Sequence, residues 1–203
     1  MDLPVTIKTR ALQKPAPAIN IYYPVVTDIG NPLIEMNINV AIVETLNRML
    51  LDLGYDNPHL VEMQGYYEIK TNERKILSLT LIVYSFAGGA HGLTMAKSLT
   101  FNVDTGRKYS LHELFKPGSN YVERLSTLVG EKIKQWDILL LDEFTGIRPD
   151  QDFYLADHSL VLYFQLYEIT PYVAGFPYFP IPILDIADII DESGPLGKLL
   201  PFT

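Results

Sequence analysis

The chain contains no cysteine. That excludes disulfides, thiolate nucleophiles and thiolate metal sites. It is also short of positive charge, with 16 Lys and Arg against 24 Asp and Glu and a formal net charge of -8. Such a surface repels nucleic acid and anionic lipid and favours a cationic partner. Histidine is scarce: His59, His91, His112 and His158 are all there are, none is spaced i, i+4 with another, and no HExxH motif occurs. A zinc site on one helix is therefore not encoded. Residues 1–30 lack a basic region followed by an apolar run and a small-residue cleavage site, so no signal peptide is expected in this segment. The one long uncharged run, Ile76 to Ala96, does not read as a membrane span. Leu77, Leu79, Leu81 and Val83 alternate with Ser78, Thr80, Ile82 and Tyr84, and Gly88, Gly89 and His91 interrupt it.

With 203 residues, 48% of them hydrophobic, the chain can bury a sizeable core as one compact unit or as two small subdomains. Val5–Arg10 and Ile19–Val26 read as strands around the Lys14–Pro17 turn. Asn31-Pro32 offers an N-cap followed by proline at the first helical position, and Gly54 a stop, for a helix over Leu33–Leu53. On it, Asn37, Glu44, Arg48 and Asp52 share a face, and the mostly apolar remainder predicts packing on a sheet. Val61–Lys70, Ile76–Phe86 and a strand through Met95–Val103 form three alternating segments with short connections, turning at Asn72–Arg74 and Asp104–Gly106. This pattern predicts an antiparallel meander with one face on the helix.

In the second half, Ser110 and Glu113 have capping-box spacing. Ser119 is expected to cap a helix reaching about Phe144, with an apolar stripe of Val122, Leu125, Val129, Ile133, Trp136 and Leu140. A hairpin is expected around Asp157-His158, then an apolar helix over Ile183–Ile190, with Gly194-Pro195 ending regular structure. The order of elements predicts an α+β fold: an antiparallel β-meander packed against helices, in two subdomains, 1–100 and 101–203, forming one compact unit.

No catalytic motif is present. There is no GxSxG elbow, and Ser85 shows no base or oxyanion hole in the sequence around it. The glycine-rich Ala87–Gly92 loop lacks the Lys-Ser/Thr of a phosphate-binding loop, and a strand rather than a helix follows it. Carboxylate pairs occur at Asp142-Glu143, Asp150/Asp152 and Asp185/Asp188, but a solvated acidic face explains them better than chemistry does. No cofactor or metal is called for.

Two uncharged or aromatic stretches remain as binding candidates. The first contributes Phe86, Gly88, Gly89 and His91, where adjacent glycines allow a sharp bend and close approach. The second, Tyr167–Ile183, interleaves aromatics with prolines and contributes Tyr167, Glu168, Tyr172, Gly175 and Phe176. Rigid aromatic loops suit a sugar or a protein surface. The competing reading is that His91 only fixes its own loop and the aromatics only cap the core.

The joint order of several motifs carries a resemblance over nearly the whole chain. They are Gly88-Gly89-Ala90-His91, then Phe101–Gly106 running into Leu111–Phe115, then Tyr167–Gly175 with an apolar, proline-bearing strand behind it. In this order they resemble the extracytoplasmic domains of RsiV-type anti-sigma factors and the N-terminal region of PdaC-type peptidoglycan deacetylases. The resemblance implies an extracytoplasmic α+β module of the bacterial envelope, a PdaC-type first half and an RsiV-type second half. It further implies a binding or sensing role toward a lysozyme-like protein or cell-wall glycan. The sequence shows neither a membrane helix nor the His and Asp metal motifs of a deacetylase domain, so signalling and deacetylation do not carry over. A small cell-wall hydrolase using carboxylates near His91 is the alternative.

Overall fold

The computed structural model describes residues 5–201. The chain divides into two compact units, the first ending at Lys108 and the second beginning at Tyr109. The strand Leu93–Asn102 continues through the 100/101 position at which the halves are expected to divide.

The first unit is a six-stranded sheet covered by one helix, with strand order β1-β2-β3-β4-β5-β6. Strands β1 (Thr6–Lys14) and β2 (Ala18–Thr27) form an antiparallel hairpin. Helix α1 (Pro32–Asp52) then carries the chain across to β3 (Glu62–Glu73), which runs parallel to β2 over Ala18–Ile21. The meander follows as expected: β3, β4 (Ile76–Phe86) and β5 (Leu93–Asn102) pair antiparallel, and the short β6 (Lys108–Tyr109) completes the sheet.

Both ends of α1 follow from local chemistry. The Asn31 side chain accepts a hydrogen bond from the Leu33 amide at 3.0 Å, with Pro32 behind it. At the other end Gly54 takes φ +79°, and the Tyr55 and Gly54 amides return to the Leu50 and Leu51 carbonyls at 2.8 and 2.9 Å. Between them Ile38, Ile42, Leu46, Met49 and Leu50 are buried against Ile21, Met63, Leu79, Leu81, Leu99 and Phe101. Each such side chain contributes on the order of 1.5–3 kcal/mol of burial. The turn into β4 lies at Arg74-Lys75, both at positive φ, one residue beyond the expected Asn72–Arg74. Beyond a bulge between Ile69 and Thr71 the β3 register shifts, so that Thr71 is buried while Ile69 is exposed.

The second unit is a three-stranded antiparallel sheet, β7 (Phe153–Ala156), β8 (Ser159–Tyr163) and β9 (Tyr178–Pro182), with helix α2 (Tyr121–Gln135). The expected hairpin at Asp157-His158 is present, with Asp157 at φ +48°. Strand β9 lies at the sheet edge, where Pro180 and Pro182 are tolerated, and it buries Phe179 and Ile181 between them.

Four local expectations are corrected. The cap of α2 is Asn120, not Ser119, whose hydroxyl is buried without a hydrogen-bond partner among the described residues. The helix stops at Gln135, not near Phe144, because Asp137 enters the left-handed region at φ +51°. The Asp137 and Ile138 amides then close back on Lys134 and Ile133 at 3.3 and 3.1 Å, a Schellman stop made with aspartate where glycine is usual. The apolar stripe therefore buries Leu125, Val129 and Ile133, while Trp136 stacks on Phe179 and stays 44% exposed. The helix expected over Ile183–Ile190 is one 3₁₀ turn, Ile183–Ile186, and a short helix α3 (Pro195–Lys198) follows where regular structure was expected to end.

Candidate functional site

The two candidate stretches lie in different units. Phe86 to Gly92 belongs to the first, and Tyr167 to Phe176 to the second.

The glycine loop joins β4 to β5. Gly88 and Gly89 sit at φ +95° and +97° with open space where a Cβ would project, so they are there for backbone conformation. Gly92 is there for packing. A Cβ at that position would come within 2.4 Å of the Ser85 carbonyl oxygen and 2.3 Å of the Tyr84 ring. The tip residues Gly88, Gly89, Ala90 and His91 are exposed, whereas Phe86 is half-buried and its carbonyl accepts from the Val61 amide at 2.9 Å. His91 Nδ1 is 2.8 Å from the Gly92 carbonyl oxygen, so the ring is oriented by its own loop. A depression of about 360 Å³ lies beside the tip, lined by Asp52, Gly54, Asn57, Ser85, Ala87 and His91 among others. Ser85 is buried there, and its hydroxyl donates to the Leu53 carbonyl at 2.9 Å. Its proton is committed to the end of α1, which does not favour it as a nucleophile.

The aromatic stretch leaves β8 and returns as β9. Tyr167 holds φ +65°, a region sparsely used by bulky residues, and its ring packs on Tyr172 with centroids 5.5 Å apart. Glu168 anchors the bend. Its carboxylate accepts from the Gln165 amide at 2.7 Å and pairs with Arg148. Tyr172–Ala174 form one 3₁₀ turn that lifts Val173 to 92% exposure, and Gly175 turns the chain at φ +70°. Phe176 then meets Tyr178, which also packs on Tyr154 and Tyr163. The stretch thus does both things its composition suggests: Phe179 belongs to the core, while Tyr167, Val173 and Tyr178 present apolar surface to solvent.

Arg148 was not singled out from sequence. It stands 3.5 Å from Asp150 and 4.0 Å from Asp152 as well as pairing with Glu168, so the Asp150/Asp152 pair surrounds a guanidinium. Its only sequence signal is the i, i+2, i+4 spacing of one arginine and two aspartates. Among the other carboxylates, Asp191 accepts from the Ser193 amide and hydroxyl at 2.9 and 2.7 Å, a turn-stabilising role. Among the described residues, no group of three or more His, Cys, Asp or Glu is arranged to hold a metal ion. No helix among them is long and apolar enough to cross a membrane. Burial, with the Asp150 carboxylate adding to it, raises the Tyr121 phenol above its ordinary value.

The arrangement is that of a two-unit α+β protein presenting a glycine hairpin from one unit and an aromatic loop from the other. Comparison with known proteins assigns each unit a family likeness. Residues 12–94 match the family model described as Deacetylase PdaC, and residues 112–183 match DUF3298, a protein family of unknown function. The chain is 26% identical over 141 residues to the Bacillus subtilis peptidoglycan-N-acetylmuramic acid deacetylase PdaC, a match covering 65% of this chain and 30% of that protein. It is 24% identical over 197 residues to the B. subtilis anti-sigma-V factor RsiV, covering 88% of this chain and 67% of that one. It is also 27% identical over 110 residues to a Mycobacterium tuberculosis esterase, covering 52% and 48%. Among solved structures, a DUF3298 family protein from Pseudomonas aeruginosa superposes over 100% of this chain and 99% of its own with a TM-score of 0.68 at 16% identity. The α+β fold and the resemblance to PdaC and RsiV are thus both supported. The chain spans less than a third of the deacetylase and about half of the esterase.

Proposed function

We propose that this chain is a non-catalytic binding or sensing module of the bacterial cell envelope, located outside the cytoplasm. Its ligand is a lysozyme-like basic protein or a peptidoglycan fragment. The observation that carries this reading is the Tyr167–Tyr178 loop, which holds Val173 at 92% exposure and the Tyr167 and Tyr178 rings partly open on a bend anchored by Glu168 and Arg148. Exposed apolar surface on a constrained loop is what a binding face requires, because little conformational freedom is lost on contact. The net charge of -8 favours a cationic protein partner. Phe86, Gly88, Gly89 and His91 supply the first unit's contact loop; Tyr167, Glu168, Tyr172, Gly175 and Phe176 supply the second's. Relatives that include a peptidoglycan deacetylase and an anti-sigma factor support the envelope setting. Calorimetry with lysozyme and with soluble peptidoglycan fragments tests the proposal. Binding of either one, weakened by Tyr172→Ala in a folded variant, is the expected result; folded protein that binds neither rejects it.

A second reading, a small cell-wall hydrolase, draws on Asp52 and His91 lining one depression and on the likeness to an esterase. A carboxylate and an imidazole in one concavity can exchange protons with a substrate. Turnover of ester or glycan substrates that is abolished by both His91→Ala and Asp52→Asn would favour this reading over binding alone.

A further inference from the structure

A second concavity, of about 420 Å³, opens in the first unit between the C-terminal half of α1 and strands β5 and β6. Its walls are unusual for the edge of a hydrophobic core. Alternation puts Met95, Lys97, Leu99 and Phe101 on the face of β5 that meets α1. Leu99 and Phe101 are buried in the core there, and Met95 packs partly against it. Lys97 occupies the same inward row, where an apolar side chain would ordinarily continue the contact with the helix. Opposite it, Glu44, Arg48 and Asp52 enter the cavity from successive turns of α1, and Lys108 enters from β6. Ala41, Met49 and Met95 provide the apolar wall.

Five charges of both signs thus line one hollow. If they served only to neutralise one another, they would be paired across it. Yet Glu44, Arg48, Asp52 and Lys108 take part in none of the ion pairs formed among the described residues. Those four charges, two of each sign, are complementary to a ligand that carries both signs. The volume falls within the range of small-ligand sites, and methionine walls adapt to an irregular apolar group.

We infer that this cavity binds a small zwitterion: a free amino acid or a short peptide with an apolar side chain. The carboxylate is taken by Arg48, Lys97 and Lys108, with the planar guanidinium suited to holding both oxygens. The ammonium is taken by Glu44 or Asp52, and the side chain rests on Met49 and Met95. Neither proposed contact loop lines this cavity, although Asp52 borders both it and the depression beside the glycine loop.

The test is calorimetry, with amide chemical shifts as a second readout, on the whole chain with free leucine, free methionine and the dipeptide Leu-Leu. N-acetyl-leucine and leucinamide, each carrying one of the two charges, are the controls. At least one zwitterion is expected to saturate, with shifts concentrated around Arg48, Lys97 and Lys108. Each single-charge control is expected to bind roughly tenfold or more weaker, as is the zwitterion to Lys97→Met. Lys108→Ala, at an exposed strand position, serves as the second variant should Lys97→Met fail to fold. The inference is overturned if none of the three zwitterions saturates, if either control binds as well as its parent, or if the folded variants bind unchanged.

Discussion

A Cβ placed on Gly92 would stand 2.4 Å from the carbonyl oxygen of Ser85 across the start of the β4–β5 hairpin. The obstacle is backbone, so relief requires the strands to part. Gly92→Ala is therefore expected to destabilise the protein by about 1–3 kcal/mol, the usual range for forced overpacking. Gly88→Ala meets open space and carries only the conformational strain of φ +95°, about 1–2 kcal/mol. Urea denaturation of the two variants checks the contrast. Equal, small losses for both would mean that the hairpin yields more readily than its packing indicates.

Asn39 performs a backbone's role with a side chain. Its Oδ1 accepts from the Val26 amide at 2.8 Å, and its Nδ2 donates to the Val26 carbonyl at 2.9 Å, tying α1 to the end of β2. Asn39→Ala removes both partners at once from a fully buried residue. A loss of about 1–3 kcal/mol is expected, because the stranded amide and carbonyl keep their desolvation cost. Asn39→Asp retains the acceptor but not the donor and is expected to recover only part of it. Thermal denaturation of the three proteins gives the order.

These two residues also show where the sequence could and could not be read. Alternation in β4 and β5, the Asn31-Pro32 cap and the Gly54 stop are local signals, and each one appears where the residues place it. The overextension of α2 has a local cause too, but an inconspicuous one: the helix ends at Gln135 because Asp137, a residue type that seldom carries left-handed backbone, turns the chain. The parallel pairing of β2 with β3 was not legible, since it depends on α1 swinging the chain across the sheet. In the candidate loops, the bend of Gly88 and Gly89 could be anticipated, because conformation is written in residue type. The Arg148–Glu168 pair could not, because it joins residues distant in sequence. Lys97 lay in plain view as the only charge within β5, yet its inward position becomes significant only when the charged face of α1 is found opposite.

The Tyr121 hydroxyl donates to the Pro149 carbonyl at 3.0 Å, and its ring stacks on Phe115 with centroids 4.9 Å apart. Burial, and secondarily the Asp150 carboxylate, raise its pKa above the ordinary value of 10.0. A folded-state pKa raised above the unfolded one means that the native protein holds this proton more tightly. The associated stability is complete below pH 10.0 and is lost as pH climbs through the raised value. Stability measured between neutral pH and the region above 10.0 is therefore expected to fall more steeply in the wild type than in Tyr121→Phe. The variant keeps the stacked ring but has no proton to lose. Identical pH profiles would show that the other tyrosines account for the alkaline loss.

Tyr167 separates a structural role for the aromatic loop from a binding role. At φ +65° its backbone is strained, and its ring, 49% exposed, packs on Tyr172. Tyr167→Gly relieves the strain, by about 1 kcal/mol, while giving up the ring contact, worth about 0.5–1.5 kcal/mol beyond the area it buries. The two effects nearly offset, so the melting temperature is expected to move little. Tyr167→Ala loses the ring but keeps the strain, and it is expected to be the less stable of the two. If the loop is a contact surface, both variants lose affinity for lysozyme or peptidoglycan fragments by a similar factor despite their different stabilities. If the ring only braces the loop, the loss of affinity should follow the loss of stability, and the glycine variant should bind almost as the wild type does. Parallel calorimetric titrations of the two folded variants distinguish these outcomes, because stability and contact are altered in different proportions by the same missing ring.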